Sequence, residues 1–171
     1  MSTVPASKGF TLVEILVVVV LLGILAAIVI PQFSNATQNA RASMLADDLR
    51  IMRTQVMVFN AQHNSVSPGY PGGDPTQAPT ETDFVAHFTR ASKTTCETAA
   101  PGTSDYPYGP YMREIPENPI NGKKTVLVLA DGASFPSAAS DAYGWIYQPY
   151  TLLFKCDATG TDDGGREYFD Y

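Results

Sequence analysis

The stretch SKGFTLVEILVVVVLLGILAAIVIPQF, residues Ser7–Phe33, decides the fold of this chain. Between residues 10 and 30 only Thr11, Glu14 and Gly23 are not apolar. As a helix this apolar stretch would be about 31 Å long, which matches the hydrocarbon thickness of a bilayer. A secretory signal peptide has a shorter apolar region that is followed by its cleavage site. The sequence therefore predicts a transmembrane helix that stays attached to the chain.

Glu14 lies about one turn inside the apolar stretch, where an ionised carboxylate is costly. The stretch contains no basic residue to pair with it. A cut between Gly9 and Phe10 would create a partner, because the shortened chain would begin with the α-ammonium group of Phe10. That group would pair with Glu14 in the same chain or in a neighbouring one. An intramembrane acid indicates a functional residue by default, and the alternative is a side chain that only reaches back to the interface.

Length, charge and missing motifs limit the function classes that the chain can belong to. Its 171 residues leave room for one globular domain beside a membrane segment. The formal net charge of −6 argues against a nucleic-acid partner. No Gly-x-Ser-x-Gly elbow, His-x-x-x-His pair or phosphate-binding glycine loop occurs, so neither enzyme activity nor catalytic residues are predicted. Lys8 favours a cytoplasmic N-terminus, which places the residues after Pro31 across the membrane.

After Pro31 the pattern changes from uniformly apolar to amphipathic. Residues then recur at spacings of three and four, as one buried helical face requires; they are Leu45, Leu49, Met52, Val56, Phe59 and His63. We predict one helix from Phe10 to about Gln62, kinked near Pro31. The predicted segments are a cleaved leader, a transmembrane helix, an amphipathic helix and a head, at 1–9, 10–30, 31–63 and 64–171.

The head is predicted to be a small α+β domain. Proline and glycine turns fill residues 65–79, and Thr80 with an acid three positions later indicates a short helix at 82–92. Three β-rich runs follow; they are TVLVLA at 125–130, GWIYQP at 144–149 and LLFKC at 152–156. The predicted fold class is therefore α+β, with a long N-terminal helix packed on a small antiparallel sheet of about three strands.

The residues KGFTLVE, Lys8–Glu14, carry a family resemblance. They resemble the processing motif of type IV prepilins and of the pseudopilins of type II secretion systems. The resemblance implies that a prepilin peptidase cuts after Gly9 and N-methylates Phe10. It also implies that Glu14 pairs with the α-amine of a neighbouring subunit as a filament grows, and that Pro31 is the helix-kinking proline of these families.

A second, looser resemblance lies in the head. GPYMREIPENPING at 109–122, the strand after it and GWIYQPYTLLFK at 144–155 are similar to the major pseudopilin of type II secretion. That family commonly has a glycine in the turn of the last hairpin, whereas this chain has Thr151-Leu152. Major pseudopilins are also known for a calcium site in their C-terminal loops.

For two candidate sites the sequence leaves two alternatives undecided. Asp157, Asp162 and Asp163 lie among glycines and offer the oxygens that Ca²⁺ prefers, so they form either a calcium site or a solvated acidic loop. No other cofactor is expected.

Cys96 and Cys156 lack metal-ligand spacing. They form either a disulfide, if the head faces an oxidising compartment, or two buried thiols.

The resemblance implies a structural subunit of the inner membrane, with a periplasmic head, that polymerises into a type II secretion pseudopilus and drives protein export. Its partners would be further copies of itself, the prepilin peptidase, minor pseudopilins, the inner-membrane platform and the assembly ATPase. The alternative is a type IV pilin whose surface fibre serves adhesion, motility or DNA uptake. A third class, a membrane-tethered binding module that never polymerises, has no need for Glu14 beside a cleavable Gly9.

Overall fold

A computed structural model describes residues 9–171, apart from the side chains of residues 30–35. The chain divides into two compact units, Met1–Gln38 and Asn39–Tyr171, and we call the second the globular unit. The boundary between them falls inside the predicted amphipathic segment. Residues 1–8 of the predicted leader lie outside the described residues, and so does the side chain of Pro31, where the kink is predicted, so both stay predictions.

Helix α1 runs from Leu12 to Gln62, which confirms the predicted long helix and its end. It ends because the backbone turns left-handed at Asn64 and Ser65, where φ is 53° and 64°. The N–H of Ser65 donates to the carbonyl oxygen of Asn60 at 2.9 Å. This bond satisfies a carbonyl group that the helix end would otherwise leave without a partner.

The apolar stripe of α1 forms one wall of the core in the globular unit. All six predicted side chains are at most 1% exposed; they are Leu45, Leu49, Met52, Val56, Phe59 and His63. Each buried leucine, valine or phenylalanine contributes about 1.5–3 kcal/mol relative to an exposed one. The same core contains Phe84, Trp145 and Phe154 from the elements that follow.

Helix α2 spans Glu81–Thr89 and starts as the sequence predicts. The Thr80 hydroxyl oxygen accepts a hydrogen bond from the N–H of Asp83 at 3.0 Å, which caps the first turn. The helix is shorter than the predicted 82–92. Residues Ala91–Ser92 instead form strand β1, which pairs antiparallel with strand β2, Thr98–Ala99.

The main sheet contains three strands, as predicted: β3 (Val126–Val128), β4 (Trp145–Gln148) and β5 (Leu153–Cys156), in the order β3-β4-β5. Strands β4 and β5 form the predicted antiparallel hairpin. Strand β3 differs from the prediction, because it pairs with β4 in parallel. Parallel neighbours need a crossover of a dozen or more residues, and the segment 129–144 provides one.

The turn between β4 and β5 contains a leucine in an unfavourable backbone conformation. Leu152 has a φ of 58°, the left-handed region that favours glycine. Its side chain is partly buried against the core, and its N–H lies 3.4 Å from the carbonyl oxygen of Pro149. The chain thus retains a hairpin turn where the pseudopilin family commonly has a glycine.

In the structure both cysteines, Cys96 and Cys156, are buried free thiols, which is the second of the two alternatives that the sequence leaves open. Cys156 lies in β5, and its Sγ donates to the carbonyl oxygen of Tyr168 at 2.9 Å. Cys96 lies between β1 and β2, outside the core cluster that contains Cys156. Burial raises the pKa of each thiol to about 11, which keeps both protonated.

Candidate functional site

The first part of α1 presents apolar side chains on every side. Residues Leu12–Val29 are long and apolar enough to cross a membrane, and none of them is buried. We call them the apolar segment. Its large apolar side chains are 43–83% exposed. Water cannot solvate such a surface favourably, so it must be covered by lipid or by other helices.

Thr11 and Glu14 are joined by three hydrogen bonds at the start of the apolar segment. Glu14 Oε2 accepts from the backbone N–H and from the hydroxyl of Thr11, each at 2.8 Å. The hydroxyl oxygen of Thr11 accepts in return from the N–H of Glu14 at 3.2 Å. This is a capping box, which satisfies N–H groups that a helix start leaves without a partner.

The Thr11 contacts give Glu14 a partner that our sequence analysis missed. A threonine followed three positions later by a glutamate is the sequence pattern of a capping box, so the signal was present. The carboxylate therefore has donors within its own chain, even without an ammonium group. Phe10, the predicted methylation residue, is 83% exposed next to this cap. A Cβ atom added at Gly9 would meet no heavy atom of residues 9–171 within 4 Å, so none of these residues crowds the predicted cleavage position.

The three C-terminal aspartates do not come together. Asp157 is buried and accepts from Ser140 and Tyr143. Asp162 accepts from the backbone of Gly164 and Arg166, in a separate turn. Asp163 is exposed. Within residues 9–171 no group of three or more histidine, cysteine, aspartate or glutamate side chains is placed to hold a metal ion.

Both histidines are core residues. His63 stacks on Phe59 with ring centroids 3.7 Å apart; its Nδ1 lies 2.7 Å from the Phe59 carbonyl oxygen, and its Nε2 lies 2.9 Å from the hydroxyl of Ser92. His87 Nδ1 accepts from the N–H of Gly69 at 3.1 Å. Burial lowers the pKa of both rings, that of His87 to about 4. They are neutral packing groups at pH 7, as expected for His63 from the sequence.

Comparisons with known proteins agree with the two resemblances. Residues 5–30 match the model of the prokaryotic N-terminal methylation motif. Over 112 residues the chain is 30% identical to the type II secretion system core protein G of Klebsiella pneumoniae, covering 66% of this chain and 68% of that protein. The corresponding protein of Pectobacterium carotovorum is 29% identical over 112 residues, with coverage of 66% and 61%.

A type IV major fimbrial protein, FimA of Dichelobacter nodosus, is 45% identical over 49 residues, which is 29% of this chain and 31% of that protein. The comparison with solved structures gave no match. The fimbrial likeness is thus confined to a short part of the chain, whereas the likeness to core protein G extends over two thirds of it. The chain belongs to the family of the type II secretion system core protein G, the major pseudopilins.

Proposed function

We propose that the chain polymerises into a periplasmic filament that drives protein export through a type II secretion system. The observation that carries the proposal is the exposed apolar segment with a carboxylate at its start. Before assembly, lipid would cover this surface in the inner membrane. In the filament, the same segments of neighbouring copies would cover one another. The role is structural rather than catalytic.

Glu14 is the proposed assembly residue. After cleavage at Gly9–Phe10 and N-methylation, the α-ammonium group of one subunit would pair with Glu14 of its neighbour. The Thr11 cap supports this role, because it keeps the carboxylate hydrogen-bonded while the subunit is still alone. Assembly would then add a charged partner to a group that is already positioned. An uncompensated charge buried in a bundle of low dielectric would cost several kcal/mol.

We further propose the orientation and the partners. A cytoplasmic leader with Lys8 would place the globular unit in the periplasm. The prepilin peptidase would process the chain, and the assembly ATPase, the inner-membrane platform and minor pseudopilins would extract and organise it.

A surface fibre is the second candidate function, and the FimA likeness is the observation that favours it. That likeness covers 29% of the chain, whereas the likeness to core protein G covers 66%. The pseudopilus is therefore the better supported candidate. The two candidate functions differ in the location of the filament, outside the cell or in the periplasm. At natural expression a surface fibre should shear from cells into the medium, while a pseudopilus should stay periplasmic.

The substitution Glu14→Ala tests the proposal. Cleavage and insertion should persist, because Gly9 is unchanged and the apolar segment becomes more apolar. The mutant should accumulate as processed, membrane-embedded monomer, and filaments should be absent from electron micrographs of overexpressing cells. Leu16→Ala is the matched control, since it shortens a side chain of the same segment without removing a charge. Normal filaments from the Glu14→Ala protein would refute the proposed role of Glu14.

A further inference from the structure

We infer that the loops next to β4 fold without a divalent cation, because the oxygens that these loops offer, four carbonyl groups and the carboxylates of Asp141 and Asp157, already accept hydrogen bonds from N–H and O–H groups of the chain. The family resemblance implies a calcium site in the C-terminal loops, and the residues present do not fit it. The inference concerns how the globular unit folds, and it is independent of whether the chain forms a filament.

Four consecutive carbonyl groups before β4 accept hydrogen bonds from the 118–123 loop. The Lys123 ammonium donates to the carbonyl oxygen of Asp141 and, at 3.4 Å, to that of Ala142. The side-chain amide of Asn121 donates to the carbonyl oxygen of Tyr143 at 2.8 Å. The amide of Asn118, a fully buried residue, donates to that of Gly144, also at 2.8 Å.

The nearby carboxylates are satisfied in the same way. Asp157 is fully buried; its carboxylate accepts from the N–H and hydroxyl of Ser140, at 2.6 and 2.7 Å, and from the N–H of Tyr143 at 2.9 Å. The Asp141 carboxylate accepts from the N–H of Thr159 at 3.1 Å and from the Thr159 hydroxyl. Bonds from Thr159, and to a lesser degree the charge of Lys123, lower the pKa of Asp141.

Calcium needs six to eight oxygen ligands, and here the hydrogens of N–H and O–H groups point at the candidate oxygens. An ammonium group lies directly on two of the carbonyl oxygens, where it would repel a second cation. Asp162 is no better placed to bind a cation. The Asp162 carboxylate accepts from Gly164 and Arg166 at 2.8 and 3.0 Å and from the Tyr171 hydroxyl at 2.5 Å. Lys123 thus supplies the positive charge that a metal ion would otherwise bring to this loop.

Thermal unfolding of the full chain in detergent micelles tests the inference, with the fluorescence of Trp145 as the signal. This residue is the only tryptophan of the chain, it is buried, and it directly follows Gly144. We expect the Tm in EDTA and in about 5 mM CaCl₂, a concentration above the Kd range of extracellular calcium modules, to agree within about 1 °C. A Tm that rises with calcium and saturates would overturn the inference, since a ligand that binds only the folded state raises Tm.

Two neighbouring lysines provide a matched pair of variants. Lys123→Met keeps the aliphatic stem but removes the ammonium from the two carbonyl oxygens, and it should lower the Tm by about 2–4 °C. Lys124→Met removes only an exposed ion pair with Glu114 and should change the Tm by less than about 1 °C. Equal Tm values for the two variants would show that Lys123 has no special role in this loop.

Discussion

Two parts of helix α1 differ in what covers their apolar side chains. In the apolar segment the large side chains are 43–83% exposed, whereas the stripe from Leu45 to His63 is at most 1% exposed. The apolar segment has almost no polar residues, while the stripe alternates with charged and polar positions. A helix with one apolar stripe needs a packing partner on one side only, and the rest of the globular unit supplies it. A uniformly apolar helix needs lipid or other helices on all sides, so its neighbours must come from elsewhere.

The largest expected effect concerns processing before the apolar segment. Gly9→Val should leave the precursor uncut, because a prepilin peptidase requires the glycine. Intact-mass measurement of protein from the native host should find a mature wild-type chain that starts at N-methylated Phe10, and a variant that retains residues 1–9. Gly23→Val is the control, since at either glycine an added Cβ atom meets no heavy atom of the described residues within 4 Å and only Gly9 flanks the predicted cut. A wild-type chain with its leader intact would contradict the assignment.

A pair of leucines tests the comparison itself. Leu49→Ala should lower the free energy of unfolding of the globular unit by about 2–5 kcal/mol, because Leu49 is 1% exposed and the truncation leaves a cavity. Leu16→Ala makes the same chemical change at a side chain that is 54% exposed, and it should leave that free energy unchanged. Urea unfolding in micelles, followed by Trp145 fluorescence, measures both. Similar losses for the two variants would mean that the two parts of α1 are covered alike.

The third prediction is that acid destabilises the globular unit through its buried histidines. Burial lowers the pKa of His87 from 6.5 to about 4. Between these two pH values the unfolded chain therefore binds a proton at His87 and the folded chain does not. Above pH 6.5 the ring is neutral in both states, so the free energy of unfolding has its full value. That free energy then falls as the pH drops from 6.5 towards 4. The loss from His87 alone should reach about 3 kcal/mol near pH 4. His63 adds to it, because burial lowers its pKa too.

His87→Asn isolates this contribution. An asparagine side-chain oxygen can replace Nδ1 as the acceptor for the N–H of Gly69, but it cannot take up a proton in this range. Between pH 6.5 and 5 the free energy of unfolding should therefore fall less steeply for the variant than for the wild type. Equal slopes would show that His87 is not the group that titrates.

Much of the fold followed from local patterns. The stripe, the end of α1 and the Thr80 cap depend on residues close in sequence, so spacing alone predicted them. The β1–β2 hairpin was missed because two-residue strands are too short to show alternation. The parallel pairing of β3 was missed because strand direction depends on the path of the segment 129–144, which forms no helix that periodicity would detect.

The candidate sites also divide into one that a short motif predicts and others that depend on residues far apart in the chain. Gly9, Phe10 and Glu14 lie in one short motif, so sequence alone was sufficient to single them out. The cysteines and the C-terminal aspartates needed groups far apart in the chain to meet in space, which composition does not reveal. At Cys156 and Asp157 the polar atoms have other partners in the structure, the Tyr168 carbonyl oxygen and the Ser140 donors.

The most direct test of our account asks what lies against the apolar segment in cells. A photoreactive benzoylphenylalanine in place of Leu16 would mark its neighbours after illumination. We predict covalent dimers and higher oligomers of this chain, and at least about tenfold fewer of them when Glu14→Ala is also present, because the variant lacks the acceptor for a neighbour's ammonium group. Monomer alone, or an oligomer ladder unaffected by Glu14→Ala, would contradict the claim that the apolar segment and Glu14 together assemble the filament.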